Sequence, residues 1–405
     1  MKKKICFLTD SIFSIGGVQR VTAVIAKALA ADHHVTIITQ DEPAKKDTSL
    51  YDLHEADISY RFFHFHKAPR LKNLCCRGYS YLYRTLLYRI GGGHDWFLQR
   101  WASEAYAHSS FPANQRATLT ELLREGGYDV VVGVHAPMAA RLATVRKQFP
   151  DTMFLGWIHN SFEALFGSGS LYLGPDRLRH YLYQLRQLDE TIVLCQYDAN
   201  VYRRHDSQLT PRVIYNPLTL VPGAVSKGQS KQFLAVGRFS PKHKGFDLLI
   251  DAFRLFCRHD SDWTLHIVGE GPEKALYREK IAAYGLEERI QLHPFTANVQ
   301  QYYSAAQVYV LSSRWEGFGL VLVEAMAHGL PVVSSDLPTS REIMGDFGLY
   351  FPVGDVEAMA QRLYDATRLD WQAKAEQAQR IAAQFHIDNI IKQWQQIITK
   401  ASDNG

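Results

Sequence analysis

The first 40 residues fix the class of fold open to this chain. Residues 5–8 are a short apolar run that stops before Asp10, and Ser14-Ile15-Gly16-Gly17 reads as a turn. From residue 18 to residue 31, Val21, Val24, Ile25, Ala28 and Leu29 recur at helical spacing. Residues 35–39 are again apolar and β-branched. Strand, helix and strand joined by short turns make a crossover unit whose two strands lie parallel. Continuous rather than alternating apolar runs mark strands covered on both faces. Residues 130–134, 154–158 and 191–194 are further strands of this kind.

The alternation starts afresh after residue 231. Strands are expected at 233–236, 264–268, 290–292, 308–312 and 331–334. Helices are expected at 246–257, 273–284, 299–305 and 320–328, the last stopped by Gly329 with Pro331 beyond it. Residues 216–231 hold two prolines, two glycines and two serines without periodicity and read as a linker. The expected division is an N-terminal Rossmann-like domain at 1–215, the linker at 216–231 and a C-terminal Rossmann-like domain at 232–385. A final segment, 386–405, is expected to be helical. Length agrees, because 405 residues exceed what one core organises. The fold class is therefore α/β, two parallel-sheet domains facing a central cleft, with ligands beyond the strand carboxyl ends.

Apolar residues at 46% and charged residues at 21% exclude wholesale disorder. The longest apolar zone, 317–333, is broken by Glu324 and His328, which argues against a spanning helix. Five scattered cysteines do not make a disulfide framework. The three lysines near the start precede only a four-residue apolar run, too short for a secretory leader. The expected location is cytoplasmic. Residues 1–205 carry 25 basic and 19 acidic side chains, against 20 and 22 in the rest. Much of that excess lies in residues 61–100, with eight Lys or Arg, one acid and nine aromatics. Tyr79, Tyr83 and Arg84 fall there at helical spacing with Leu82, Leu86 and Leu87. A basic aromatic helix of this kind suits peripheral contact with the inner leaflet. A helical excursion packed on its own domain is the plainer reading, and no nucleic-acid partner is expected.

Residues able to carry chemistry follow strands. Gly16-Gly17 lets a phosphate approach a helix N-terminus, where backbone N–H groups favour an anion. Gly237-Arg238-Phe239-Ser240-Pro241-Lys242-His243-Lys244-Gly245 follows the first strand of the second half. There Arg238 can fork across phosphate oxygens and Lys244 adds a point charge. Glu316 and Glu324 stand eight residues apart around Gly317 and Gly319. The N–H groups of Gly319, Leu320 and Val321 open the next helix and suit a phosphate. Glu324, among apolar neighbours, needs hydrogen-bond donors, which sugar hydroxyls can supply. His159 ends a strand beside Asn160 and Ser161; His135 ends another and reads as structural. Asp260-Ser-Asp262, His64-Phe-His66, Cys75-Cys76 and Gly269-Glu-Gly271 match no complete metal or dinucleotide motif.

Taken together these motifs resemble the retaining family 4 glycosyltransferases of the GT-B fold. The resemblance rests on Gly16-Gly17, on Gly237-Arg238 with Lys244-Gly245, on Ile267-Val-Gly-Glu-Gly-Pro, and on Ser313-Arg-Trp-Glu316-Gly-Phe-Gly running to Glu324-Ala-Met-Ala. It implies that Gly17 contacts a donor diphosphate and that Arg238 and Lys244 hold it. It implies that Glu316 meets hydroxyls of the transferred sugar, Glu324 the ribose, and His159 the reaction centre. The donor would be a UDP- or GDP-linked sugar. The acceptor would be a glycan or lipid-linked glycan of cell-surface polysaccharide or lipopolysaccharide, with no metal and no cofactor. A nucleotide-sugar epimerase or sugar phosphorylase of the same architecture, a nicotinamide oxidoreductase and a non-catalytic binding subunit are the alternatives.

Overall fold

The computed structural model describes residues 2–64, 70–82, 96–167, 170, 172–220, 222–240, 243–259 and 262–400. The chain forms two compact units. One runs up to Pro217 and resumes at Ile387; the other is Leu218–His386.

The first unit is built on seven strands: β1 (Lys4–Thr9), β2 (His34–Thr39), β3 (Ile58–Phe62), β4 (Val130–Val134), β5 (Met153–Trp157), β6 (Glu190–Val193) and β7 (Arg212–Val213). Their order is β3-β2-β1-β4-β5-β6-β7, and every pairing is parallel. Central β1 sets Ile5 opposite Val35 on one side and Val130 on the other. Burial on both faces explains the continuous apolar runs of β1 and β4. Helix Gly17–Ala30 turns Val21, Ile25 and Leu29 into this core. Helix Ile387–Lys400 also belongs here, with Trp394 fully buried 4.8 Å from Trp157 and 6.2 Å from Phe7.

Most expected elements recur with ends moved by one residue. Three strands lacked an apolar run to announce them. In β3 only Ile58 is buried, β7 has two residues, and in β13 (Leu349–Phe351) only Phe351 is buried. The stretch 61–100 is not one segment: Arg61 and Phe62 close β3, and helices Arg70–Leu82 and Trp96–Ser110 follow. Tyr83, Arg84, Leu86 and Leu87 lie outside the described residues, as do His66, Pro241, Lys242 and Asp260. Asp262 pairs with Lys231 at 2.8 Å.

The second unit has β8 (Gln232–Val236), β9 (Thr264–Val268), β10 (Ile290–His293), β11 (Val308–Leu311), β12 (Val332–Ser335) and β13, in the order β10-β9-β8-β11-β12-β13, all parallel. Helix Leu320–Ala327 stops as its sequence promised. Gly329 takes φ 77°, its N–H donates to the Met326 carbonyl, and the N–H of Leu330 reaches back to Ala325.

In each sheet the chain order reverses at one place, between β1 and β4 and between β8 and β11. There the connections leave in opposite directions and the loops at the carboxyl ends diverge, which opens a crevice. Asp10 and His135 follow β1 and β4; Arg238 and Ser312 follow β8 and β11.

Burial also sets a response to acid. His33, His135, His159, His243, His266, His293 and His328 are all held below the ordinary histidine value, in each case chiefly by burial. His266, whose Nδ1 lies 3.0 Å from His293 Nε2, is held down to about 4. Folding thus favours the neutral rings, and below about pH 6.5 the unfolded chain binds more protons than the folded one. Stability is expected to fall steadily as pH drops from about 7 to 5. Urea unfolding across that range tests this, and a flat midpoint would refute it.

Candidate active site

Among the described residues, the crevice of the second sheet is flanked by 237–240 and 243–245 after β8 and by 312–319 after β11. They are tied together at many points. The N–H of Arg314 donates to the His243 carbonyl at 2.8 Å, and Ser312 Oγ donates to the Lys244 carbonyl at 2.8 Å. The His243 ring stacks on Trp315 at 4.9 Å, with Nε2 3.0 Å from the Trp315 carbonyl oxygen. Gly245 caps helix Phe246–Phe256 at φ 65°, and a Cβ there would stand 2.1 Å from the Ser312 oxygen, so only glycine lets the loops meet. Arg314 braces the arrangement from behind through Asp247 at 3.0 Å.

These ties hold a buried ion pair. Lys244 Nζ lies 2.6 Å from Glu316 Oε1, with the side chains 13% and 8% exposed. Ser313 Oγ donates to the same carboxylate oxygen at 2.6 Å. Burial alone would raise the Glu316 pKa; Lys244, His243 and the two hydrogen bonds outweigh it and hold the carboxyl below its ordinary value. Arg238 is exposed, and its guanidinium has no ion pair among the described residues. The crevice therefore presents one open cation beside one already matched.

Helix Leu320–Ala327 starts at the rim behind Gly319, which takes φ 87° without a side-chain cap. The N–H groups of Gly319, Leu320 and Val321 have no acceptor inside the helix. Glu324 lies one turn in and is 1% exposed. Its donors differ from the expectation of sugar hydroxyls alone: Tyr303 Oη reaches Oε2 and Thr219 Oγ1 reaches Oε1, each at 3.1 Å. A fully buried carboxylate is satisfied first by its own protein.

In the first unit, Gly16 caps helix Gly17–Ala30 with its N–H donating to Tyr51 Oη at 2.8 Å. Asp41 accepts from the backbone N–H groups of Ile12 at 2.7 Å and Phe13 at 3.1 Å, and from the hydroxyls of Ser11 and Thr39. Burial opposes ionisation of Asp41, but these bonds hold its carboxyl below the ordinary value. Asp41 and Tyr51 thus shape the glycine loop. His159 follows β5, its ring tilted 51° to that of Trp157 with centroids 4.2 Å apart, and its Nε2 is buried and unpartnered among the described residues. Burial, and secondly His135, push its pKa well down, so the ring stays neutral. His135, read from sequence as structural, stands 6.2 Å from His159 and 3.9 Å from Asp10, in the left-handed region at φ 67°. Strain of that kind costs about 1–3 kcal/mol and concentrates at functional sites.

The structure brings Arg238, Lys244, Glu316, Gly319, Leu320, Val321 and Glu324 together in one unit, and Gly16, Gly17 and His159 in the other. Sequence reasoning missed Asp41, Tyr51, Tyr303 and Thr219 because they act across long separations. Thr219 and Glu324, for example, stand 105 residues apart.

Two parallel-sheet units, with their polar loops at the reversal points, are the GT-B architecture of the glycosyltransferases. A family model described as Glycosyltransferase Family 4 matches residues 15–220, and one described as Glycosyl transferases group 1 matches residues 230–368. The chain belongs to glycosyltransferase family 4. It is 26% identical over 325 residues to an uncharacterised glycosyltransferase of Haemophilus influenzae, covering 76% of this chain and 89% of that protein. It is 29% identical over 233 residues to the amylovoran biosynthesis glycosyltransferase AmsD of Erwinia amylovora, covering 55% and 65%. The crystal structure of Anabaena Alr3699/HepE in complex with UDP superposes with a TM-score of 0.73 at 20% identity, covering 98% of this chain and all of that one.

Removing one member of a buried ion pair strands the other charge and costs about 3–5 kcal/mol. Lys244→Ala is expected to lose stability of that order in urea unfolding at pH 7. Lys244→Ala combined with Glu316→Gln is expected to recover a large part of the loss. Strict additivity of the two substitutions would show that the pair is not coupled.

Proposed function

We propose that this protein is a retaining glycosyltransferase that moves a sugar from a UDP- or GDP-linked donor to a hydroxyl of a glycan or lipid-linked acceptor in cell-surface polysaccharide or lipopolysaccharide synthesis. One observation carries the reading. An exposed arginine, a buried Lys244–Glu316 pair and an uncapped helix N-terminus share the reversal point of the second sheet. That combination suits a diphosphate with a sugar on one side and a nucleoside on the other. UDP is favoured over GDP because the structural neighbour was solved with UDP.

In this reading Arg238 forks onto the diphosphate, and the amides of Gly319, Leu320 and Val321 add neutral donors. Lys244, fixed by Glu316, keeps its remaining ammonium hydrogens for a phosphate oxygen. As the bond between the anomeric carbon and the phosphate oxygen breaks, negative charge grows on the leaving group, and these fixed donors stabilise it without reorganising. Positive charge grows on the sugar, where Glu316 faces it. The acceptor oxygen bonds to the same face of the anomeric carbon, and its proton passes to the departing phosphate oxygen. Glu324 would meet the ribose by yielding one of its two hydroxyl partners. In the first unit, Gly16-Gly17 and neutral His159 are the phosphate-facing and sugar-orienting groups. The charge work falls to side chains and amides, so the reading needs no metal and no cofactor. The epimerase and phosphorylase alternatives are not favoured, because the relatives are transferases of polysaccharide synthesis.

No helix among the described residues is long and apolar enough to cross a membrane. Exposed Leu74, Tyr81 and Leu82 on helix Arg70–Leu82 and Trp101 on helix Trp96–Ser110 support peripheral contact with an anionic leaflet. Leu74→Ser with Trp101→Ser is expected to weaken sedimentation with phosphatidylglycerol vesicles by roughly 10-fold. Unchanged sedimentation would remove this part of the reading.

A thermal-shift screen of UDP-, GDP- and ADP-sugars identifies the donor, since a ligand that binds only the folded state raises its melting temperature. With that donor, Arg238→Gln is expected to lower kcat by about 10²–10³-fold. Full turnover by Arg238→Gln would overturn the assignment.

A further inference from the structure

The first unit contains a cavity of about 130 Å³ to which none of the proposed donor-site residues contributes. It lies between the end of helix Trp96–Ser110, the start of helix His135–Ala143 and helix Leu178–Leu185. Its size is that of one six-membered ring, as apolar cavities of about 150 Å³ accept benzene. Three aromatic side chains form its walls, Tyr106, Phe111 and Tyr181, and its charged lining is Arg141 and Arg177 with no carboxylate.

Two features of the lining point to a polar occupant. Tyr181 is 2% exposed, and its hydroxyl has no hydrogen-bond partner among the described residues. A buried hydroxyl left so costs about 1–3 kcal/mol, and a ligand oxygen would remove that cost. Burial raises the Tyr181 pKa well above its ordinary value, so the hydroxyl keeps its proton and can donate. Arg177 spends one N–H on the Leu173 carbonyl at 3.0 Å, a neutral acceptor, and has no ion pair among the described residues. Arg141 runs over the Phe111 ring at 5.9 Å and reaches within 3.9 Å of Asp10, just beyond β1. The cavity thus adjoins the carboxyl-end edge of the first sheet, where open parallel sheets take their ligands.

We propose that this cavity is a subsite for an anionic sugar ring of the acceptor, its carboxylate or phosphate between Arg141 and Arg177, its ring against the aromatic walls, and one ring oxygen or hydroxyl accepting from Tyr181. This rests on the reading of the acceptor as a glycan. Two cations, of which Arg141 alone has a carboxylate within reach (Asp10, 3.9 Å), favour negative charge, and flat aromatic faces with a few placed polar groups suit a pyranose. A neutral hexose would bring no opposite charge to Arg177, whose acceptor at 3.0 Å is the neutral Leu173 carbonyl.

The test uses the full chain and measures affinity by calorimetry for methyl β-glucuronide, glucose 6-phosphate, methyl β-glucoside and geranyl phosphate. Melting temperature with and without UDP is recorded on each sample. One or both anionic sugars are expected to bind, and methyl β-glucoside about 10- to 100-fold more weakly. Arg177→Gln is expected to weaken the anionic sugar by a similar factor and Ala140→Leu, which fills the cavity, to abolish binding, both with the UDP shift unchanged. Tyr181→Phe is the sharpest variant: it removes an unpartnered hydroxyl, so melting temperature should hold or rise while sugar affinity falls. The proposal is overturned if neither anionic sugar binds, if the glucoside binds as well, if geranyl phosphate is preferred, or if the three variants leave affinity unchanged. Loss of the nucleotide and nucleotide-sugar shifts in the unmodified chain would instead count against the transferase reading.

Discussion

A buried ammonium and a buried carboxylate, 2.6 Å apart, join two loops that the sheet would otherwise let drift apart. At the reversal between β8 and β11 nothing in the strand ladder fixes the loops relative to each other, because they leave in opposite directions. The Lys244–Glu316 contact supplies that constraint. The His243–Trp315 stack, the Ser312 hydrogen bond and the close approach at Gly245 keep it dry enough to matter. The donor groups proposed in the second unit depend on this junction, since it fixes where Arg238 emerges and where the helix behind Gly319 begins.

The two units solve the same problem with different chemistry. In the second, charge is concentrated and partly neutralised inside the crevice. In the first, the glycine loop is shaped by Asp41 and Tyr51, acting as an acceptor and a hydroxyl pivot, and the histidine beyond β5 is kept uncharged by its aromatic surroundings.

Much of this was legible in the sequence, and the reason is burial. β1, β4 and β11 lie inside parallel sheets, so their apolar runs are nearly unbroken and their boundaries close to visible. β3 and β13 lie at sheet edges with one buried residue each, and no pattern marks them. At the site, residue types forecast chemistry where a loop carries its own groups, as with Arg238, Lys244, Glu316 and the glycines. They did not forecast partnership. Lys244 and Glu316 are 72 residues apart, Gly16 and Tyr51 are 35 apart, and the sequence could not show that Glu324 would find its donors within the protein. Long-range pairing is a property of the sheet order, not of local spacing.

The helix Ile387–Lys400 returns to the unit that the chain left at Pro217. Trp394 is wedged against Trp157 and Phe7, so the N-terminal core lacks a large buried ring until the whole of Leu218–His386 has been made. The second unit is one uninterrupted stretch and can complete itself as it leaves the ribosome. The usual N-to-C order of maturation is therefore reversed at its last step: the half translated first is the half finished last, and only a chain synthesised past its midpiece acquires both cores.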